Sequence, residues 1–408
     1  MTQGYSNAGR RASRTVLLGL ALALATTATF ADWELGMSYF KQGKYVEAIA
    51  EFEATLVNAP EYDFGYYMVG NSYLKLKKYN DAVVSFKKAI DINPGKFAYH
   101  GNLAQAHFQL KKYGDVITTL DKAESLAESA QDKELLHQFR GLSLFQSKLF
   151  DRAVDDLKKA NPSANFSVAV ALGSSCRATG DWKCVQDSFD KAVAQNAKHG
   201  PTLSQYAGAL LEMAVREQNA QKKDQTYAKA ADIARKLIDV EKSADSHKKL
   251  GDALLGAGKY KEAVAEYQTV LKMEPKNCAA MLSLSQSSGA LQDWPATLEW
   301  GKKSVECGEN KHLGYNQMAY AYIKTQKWQE AKDAATKSDA VKPNAQAKNL
   351  IKVAAEKKDY EEHNQALAAA EAEYEAKQKA EEARVKAEQD KIKAYQTKTG
   401  QGGGGGVR

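Results

Sequence analysis

The chain has 408 residues, and its 57 lysines and arginines outnumber its 50 acids to give a formal net charge of +7. Lysine pairs such as Lys77-Lys78 and Lys111-Lys112 stand close to acids such as Asp81 and Asp115. Positive charge is therefore neutralised locally, as on a solvated helical surface, and the sequence shows no uncompensated basic stripe of the kind that binds nucleic acid. We expect no nucleic-acid partner.

Residues 1–31 have the composition of a secretory signal peptide. Arg10, Arg11 and Arg14 precede a short apolar run from Val16 to Ala25, and small residues lead to Ala31. We expect cleavage after Ala31 and a periplasmic or secreted protein. The apolar run is short for a membrane span, so we expect the mature chain not to be an integral membrane protein.

Two alternatives for this segment stay open. The first is an uncleaved anchor, and the second is a twin-arginine signal at Arg10-Arg11, although Ser13 stands where a bulky apolar residue is expected. Removal of residues 1–31 takes away three arginines and no acid, which leaves a mature net charge of 54 − 50 = +4.

A pattern of six positions then returns after 34 residues. A fixed period of this length indicates a stack of identical units, none of which can bury its apolar face alone. Glycine inside a helix costs about 1 kcal/mol relative to alanine, a cost that close packing against a neighbouring helix explains. Proline just beyond the second helix ends each unit. The six positions are Gly36, Tyr39, Tyr45, Ala48, Phe52 and Pro60, which reappear as Gly70, Tyr73, Tyr79, Ala82, Phe86 and Pro94.

These positions resemble the tetratricopeptide-repeat family, whose pattern is W-x2-L-G-x2-Y, then A-x3-F, then P. In this chain the pattern reads Leu35-Gly36-x2-Tyr39, Ala48-x3-Phe52 and Pro60. The resemblance implies an all-α, right-handed superhelical solenoid of about nine helix hairpins over residues 32–343. The sixth hairpin is irregular, and we expect its polar segment 217–224 to lie at a hairpin end.

The C-terminal region departs from the repeat. We expect a degenerate capping repeat at 344–371, a charged solvated helix at 372–396, and a disordered glycine-rich tail at 397–408. Val353, Tyr360, Leu367 and Tyr374 are spaced by seven, but the spacing lapses at Glu381. A coiled coil needs a sustained apolar seam, so the pattern favours a helix that runs into solvent.

The sequence contains no recognisable catalytic or metal-binding motif. The seven histidines are scattered, and no phosphate loop, nucleophile elbow or His-Glu-x-x-His motif occurs. The repeats occupy the chain between its two ends. We therefore expect no enzyme activity, no cofactor, no metal and no small-molecule substrate.

The four cysteines fall into two pairs within single repeats. Cys278 begins the first helix of the eighth hairpin and Cys307 ends its second helix, so the two ends should lie side by side. Cys176 and Cys184 flank the turn of the fifth hairpin. An exported protein favours disulfides at both pairs, with four unpaired core cysteines as the alternative.

The resemblance also implies where a partner binds, because the first helices of tetratricopeptide repeats line a concave surface that holds an extended peptide or a partner helix. Asparagine amides at Asn71 and Asn102 match positions that grip a peptide backbone, since an amide both donates and accepts. Tyr67 and Phe139 stand where a basic clamp for a terminal carboxylate would be, so we do not expect that specificity. The candidate groove residues are Trp33, Phe40, Phe64, Tyr67, Asn71, Lys75, Asn102, Gln105, Phe108, Asn316, Gln317 and Tyr320.

The favoured interpretation is a non-catalytic scaffold of the cell envelope that binds a protein or peptide. For each aromatic residue of the groove, ordinary packing between repeats is the alternative. For the whole protein, the alternatives are a structural component that self-associates through its C-terminal helix and, less favoured, an enzyme or carbohydrate-binding accessory.

Overall fold

A computed structural model describes residues 33–356 and 360–400. The expected signal peptide at 1–31, and the tail from 401 onward, lie outside the described residues. All regular structure in the described part of the chain is helical, as the sequence predicts. None of the helices described is both long enough and apolar enough to cross a membrane.

The chain divides into two compact units, residues 1–202 and 203–408. Helices of the first unit form five successive hairpins, and a short 3-10 turn at Glu124–Leu126 follows the sixth helix. They are α1 (33–41), α2 (Tyr45–Asn58), α3 (Asp63–Lys75), α4 (Tyr79–Ile92), α5 (Phe97–Gln109), α6 (Tyr113–Ala123), α7 (Ala130–Gln146), α8 (Phe150–Lys159), α9 (Phe166–Thr179) and α10 (Trp182–Gln195).

The second unit continues the hairpin pattern. Its helices are α11 (Gly200–Arg216), α12 (Ala220–Val240), α13 (Ala244–Gly256), α14 (Tyr260–Met273), α15 (Cys278–Ala290), α16 (Trp294–Cys307), α17 (Lys311–Lys324), α18 (Trp328–Val341), α19 (Ala345–Glu356) and α20 (Tyr360–Gly400). Helix α11 begins just before the division between the units.

Two kinds of helix contact build each unit. From α2 to α10, and again from α12 to α20, each helix packs against the next one in the chain. First helices of neighbouring hairpins also touch one another, as α3 touches α5 and α13 touches α15. The first helices therefore form a continuous surface within each unit, which is the arrangement a solenoid requires.

Inside the hairpins, a first-helix glycine lies against a large side chain 16 residues later. A Cβ atom at Gly70 would lie 2.6 Å from the ring of Phe86, and one at Gly251 would lie 2.7 Å from the ring of Tyr267. Both rings are fully buried. The same pairing joins Gly36 to Phe52, Gly141 to Leu157 and Gly173 to Phe189.

The turn between the two helices of a hairpin also repeats. A residue with positive φ occurs there at Gly43, Lys77 and Lys111, and again at Gly258, Gln292 and Gln326. Each run has the 34-residue period of the sequence. Glycine takes this conformation without steric cost, whereas lysine and glutamine take it at a cost of about 1 kcal/mol or more, so the hairpin packing must hold it in place.

The polar segment 217–224 of the sixth hairpin lies where α11 ends and α12 begins, which is a hairpin end. Helix α12 already begins at Ala220, and the side chain of Asn219 accepts a hydrogen bond from the backbone N–H of Lys222. This N-cap satisfies one of the free donors at the helix start. Residues 217–219 therefore connect the two helices, and residues 220–224 lengthen α12.

The C-terminal region differs in its boundaries. The expected break between a capping repeat and a charged helix at 371/372 is not seen, because α20 is one helix from Tyr360 to Gly400. It also extends through residues 397–400, where the sequence predicts the start of the tail. Alanine, glutamate, lysine and glutamine are frequent on both sides of residue 371 and favour a continuous helix there. Before it, α19 buries Leu350 and Val353 against α17 and α18.

We predict that Gly70→Ala lowers the free energy of unfolding by about 1–3 kcal/mol, because the new methyl group would overlap the buried ring of Phe86. Gly114→Ala is the matched control, since a Cβ there meets nothing within 4 Å and alanine favours the helix by about 0.4–1 kcal/mol. Urea unfolding of both variants checks this. Equal stability of the two variants would contradict the packing role of Gly70.

Candidate functional site

The first helices of the second and third hairpins bring polar side chains together on one face. The Asn102 Nδ2 of α5 donates to the Asn71 Oδ1 of α3 over 2.5 Å and lies 3.2 Å from the Tyr67 Oη. The structure thus brings Asn71 and Asn102, two of the candidate groove residues, into direct contact. Residues 31 apart in the chain form one amide pair because α3 and α5 lie side by side.

A pocket of about 360 Å³ opens beside this amide pair. Most of its lining residues are amides or lysines, and none is an acid. We call it the amide pocket, and it is lined by Asn71, Leu74, Lys75, Lys77, Tyr79, Asn102, Gln105 and Gln109. Because an amide offers both a donor and an acceptor, and lysine offers only donors, the pocket suits a peptide backbone with negative charge nearby.

Tyrosine and aspartate hold the base of this surface in place. The Asp63 carboxylate accepts from Asn93 Nδ2 over 2.8 Å and from the Tyr99 hydroxyl over 2.9 Å. Burial and this hydrogen bond raise the pKa of Tyr99 above its ordinary value, so the hydroxyl remains a donor. The ring of Tyr99 lies 4.9 Å from that of Tyr67 between centroids, which positions the Tyr67 hydroxyl beside Asn102.

Most of the expected aromatic groove residues pack against other aromatic rings, within their own hairpin or against the next one. The Trp33 ring lies 4.9 Å from Phe52 and 5.6 Å from Phe64. Phe40 and Phe108 each contact the first aromatic residue of their own second helix, Tyr45 and Tyr113, at 5.4 and 5.7 Å. Phe64 is the most accessible of this group, with 36% of its surface exposed. Trp33, Phe40 and Phe108 therefore have a packing role, which is the alternative to a role in peptide binding.

In the second unit, the expected groove residue Asn316 is buried, so its assignment to an accessible groove is wrong. Its Nδ2 donates to the side-chain oxygens of Asn344 and Gln346 at 3.3 and 3.0 Å, because α19 covers this part of α17. Gln317 and Tyr320 are half-buried. The Tyr320 ring lies 5.8 Å from that of Trp294.

A buried ion cluster between the third and fourth hairpins has no signal in the repeat pattern. Arg140 of α7 donates to both oxygens of Asp156 at 2.7 and 2.9 Å and to Glu124 at 2.9 and 3.1 Å. The Arg140 and Asp156 side chains are only 8% and 6% exposed. His137 adds a contact to Asp156 at 2.9 Å, and Asp121 a contact to Arg140 at 3.0 Å. Each of these charges has a partner, so the cluster joins hairpins rather than offering a site.

Both expected cysteine pairs are joined as disulfides. The Cα atoms of Cys176 and Cys184 are 5.8 Å apart, and those of Cys278 and Cys307 are 5.6 Å apart. Asp181 brings a carboxylate oxygen within 4.8 Å of the first pair of sulfurs. That carboxylate also caps α10 by accepting from the backbone N–H of Cys184. Because the disulfide occupies both sulfurs, this group is not a metal site in the oxidised chain.

Three segments match family models of the tetratricopeptide repeat. They are residues 30–62, 64–96 and 244–277, and each begins near the start of a hairpin of the fold. Two of them contain the N-terminal hairpins, and the second supplies Asn71 and Lys75 of the amide pocket. No curated protein matches the chain.

Solved structures similar to the chain include a tetratricopeptide repeat protein from Parabacteroides merdae, at 14% identity and a TM-score of 0.39, covering 64% of this chain and 99% of that one. The C-terminal part of a repeat-containing protein from Cytophaga hutchinsonii matches at 19% identity and a TM-score of 0.42, covering 62% and 99%. MamA matches at 15% identity and a TM-score of 0.36, covering 41% and 92%.

We predict that Arg140→Met lowers the free energy of unfolding by about 3–5 kcal/mol, because it leaves the buried Asp156 carboxylate without its main partner. Arg152→Met is the matched control. Arg152 also pairs with Asp121, but it is 54% exposed, and such pairs contribute about 1 kcal/mol or less. Urea unfolding measures both. The double variant Arg140→Met/Asp156→Leu should recover part of the loss, and no recovery would contradict the unpaired carboxylate as its cause.

Proposed function

We propose that this chain, which belongs to the tetratricopeptide-repeat family, is a protein-interaction scaffold that binds an extended acidic peptide in the amide pocket. The observation that carries the proposal is the amide pair of Asn71 and Asn102, which sits beside Lys75 on neighbouring first helices. When a peptide binds, the two side-chain amides would exchange the hydrogen bond between them for hydrogen bonds to the N–H and C=O groups of the peptide backbone.

The pocket lining supports negative charge in the partner. Lys75 and Lys77 supply positive charge, and no acid lines the pocket to neutralise them. Glutamine side chains at Gln105 and Gln109 extend the row of donors and acceptors along α5. A peptide with glutamate or aspartate side chains would pair with the lysines while its backbone meets the amides.

A free C-terminal carboxylate is not required for this binding. Tyr67 occupies the position of one basic clamp residue, and its hydroxyl is hydrogen-bonded to Asn102. Phe139 occupies the other position, and its ring packs 5.3 Å from that of Phe108. An internal segment of a partner protein therefore fits the pocket as well as a terminus does. The proposal includes no catalytic step.

We further propose that the chain acts outside the cytoplasm. The composition of residues 1–31 motivates export, and two disulfides within single hairpins support it, because disulfides persist in oxidising compartments. The scaffold would then serve proteins of the cell envelope.

Binding is tested with labelled, C-terminally amidated acidic peptides and with lysine-substituted versions of the same peptides. We expect the acidic set to bind and the lysine set not to. Asn71→Ala, Asn102→Ala and Lys75→Glu should each weaken binding, the alanine variants by about 1–3 kcal/mol, because a peptide group loses its partner. Fluorescence anisotropy gives the affinities.

Matched controls lie on second helices of the same unit. Asn58→Ala and Lys122→Glu change exposed residues of α2 and α6 and should leave the affinity unchanged. Circular dichroism verifies that each variant is folded. If the pocket variants bind as tightly as the wild type, or if lysine peptides bind equally well, the amide pocket is not the peptide site.

Export is tested on protein recovered from the cells that naturally make it. We predict that peptide mapping without reductant recovers Cys176 linked to Cys184 and Cys278 linked to Cys307, and that the N-terminus begins after Ala31. A chain that retains residues 1–31 and has freely alkylated cysteines would contradict export. The bridge between Cys278 and Cys307 should stabilise its hairpin by roughly 3–4 kcal/mol in the chain-entropy model.

A further inference from the structure

The C-terminal part of α20 buries none of residues 371–393, all of which are exposed. The helix is nevertheless 41 residues long and therefore spans roughly 60 Å. Isolated helices gain little from propensity alone and are stabilised mainly by burying one face. The face that this helix would bury can be identified from its exposed apolar residues.

Three large apolar side chains lie on one face of this segment. Tyr374, Val385 and Ile392 are 59%, 44% and 53% exposed. They are separated by 11 and 7 residues, and 18 residues make about five turns at 3.6 residues per turn. Tyr374 and Ile392 therefore point the same way, with Val385 within about 20° of them. We call this line the apolar stripe.

The charges along the same segment are divided into two halves. Residues 371–382 carry five acids and two lysines, a net charge of −3, whereas residues 383–400 carry five bases and two acids, a net charge of +3. Pairs within the helix, such as Lys377–Glu373 at 2.7 Å and Arg384–Glu381 at 2.9 Å, neutralise only part of each half. The change of sign falls near Val385, at the middle of the segment.

We propose that the apolar stripe is a self-association surface, on which the same helix of a second copy packs antiparallel. In that orientation the acidic half of each copy lies along the basic half of the other, and Tyr374 of one copy approaches the end that carries Ile392 in the second. A parallel pair would set acid against acid and base against base. The proposal is independent of peptide binding in the amide pocket.

The charge pattern allows a test by reversal and mixing. In one variant of the full chain, Glu373→Lys, Glu375→Lys and Glu382→Lys turn the acidic half positive. In a second variant, Arg384→Glu, Lys386→Glu and Lys391→Glu turn the basic half negative. We expect the wild-type chain to form a salt-sensitive dimer, and each variant alone to associate roughly tenfold or more weakly. An equal mixture of the two variants should associate again, because one helix is now positive throughout and the other negative.

Sedimentation equilibrium over a concentration series measures association of the wild type, of each variant alone and of their mixture. Val385→Asn should weaken the wild-type dimer, whereas Ala383→Asn, on the opposite face of the helix, should not. A wild-type chain that is monomeric at every concentration overturns the proposal, and so does a mixture that associates no better than its components. Equal effects of the substitutions at Val385 and Ala383 would overturn the assignment of the stripe. Circular dichroism excludes loss of the helix as the cause.

Discussion

The fold depends on close approach between the two helices of each hairpin. Where Gly70 or Gly251 lies in the first helix, the absent side chain leaves room for a fully buried ring from the second. The ring then fills the space between the two helices. The same pairing of a glycine with a large buried side chain recurs in the first, second, fourth, fifth and seventh hairpins. In the third hairpin the small Ala104 takes the place of the glycine, and α5 lies beside α3, which brings Asn102 to Asn71.

The 34-residue period and the residue types at its fixed positions were enough to predict the hairpins and the contact between their helices. Glycine, alanine and aromatic residues at fixed positions define both the hairpins and their contact, and the amide pair follows once two first helices are neighbours. The positive-φ turns were less visible, since Lys77 and Gln292 occupy positions where glycine would have marked the conformation. The packing of the helices on both sides of the turn imposes this conformation, and the identity of the turn residues alone does not predict it.

The residues that sequence reasoning misplaced depend on contacts between distant segments. Asn316 is an amide in a first helix, like Asn71 and Asn102, but α19 covers it, and Asn344 and Gln346 are its partners. Arg140 directly precedes the first-helix Gly141, a repeat position that is buried as Val69 and Leu250 in other hairpins. The repeat therefore marks the position as buried, but it does not show which acids pair with an arginine there, because Glu124 and Asp156 come from two other helical elements.

The disulfide of the eighth hairpin has a mechanical consequence. When a solenoid is stretched from its two ends, its hairpins unfold one at a time, because each contacts mainly its neighbours. Each hairpin that unfolds adds its extended length to the stretched chain. Cys278 and Cys307 are separated by 29 residues, which would extend by roughly 100 Å if the chain were free. The disulfide prevents nearly all of that extension. The eighth hairpin can lose its helices under tension, but the stretched chain gains little length from it. The two ends of the hairpin stay together, so that it can refold.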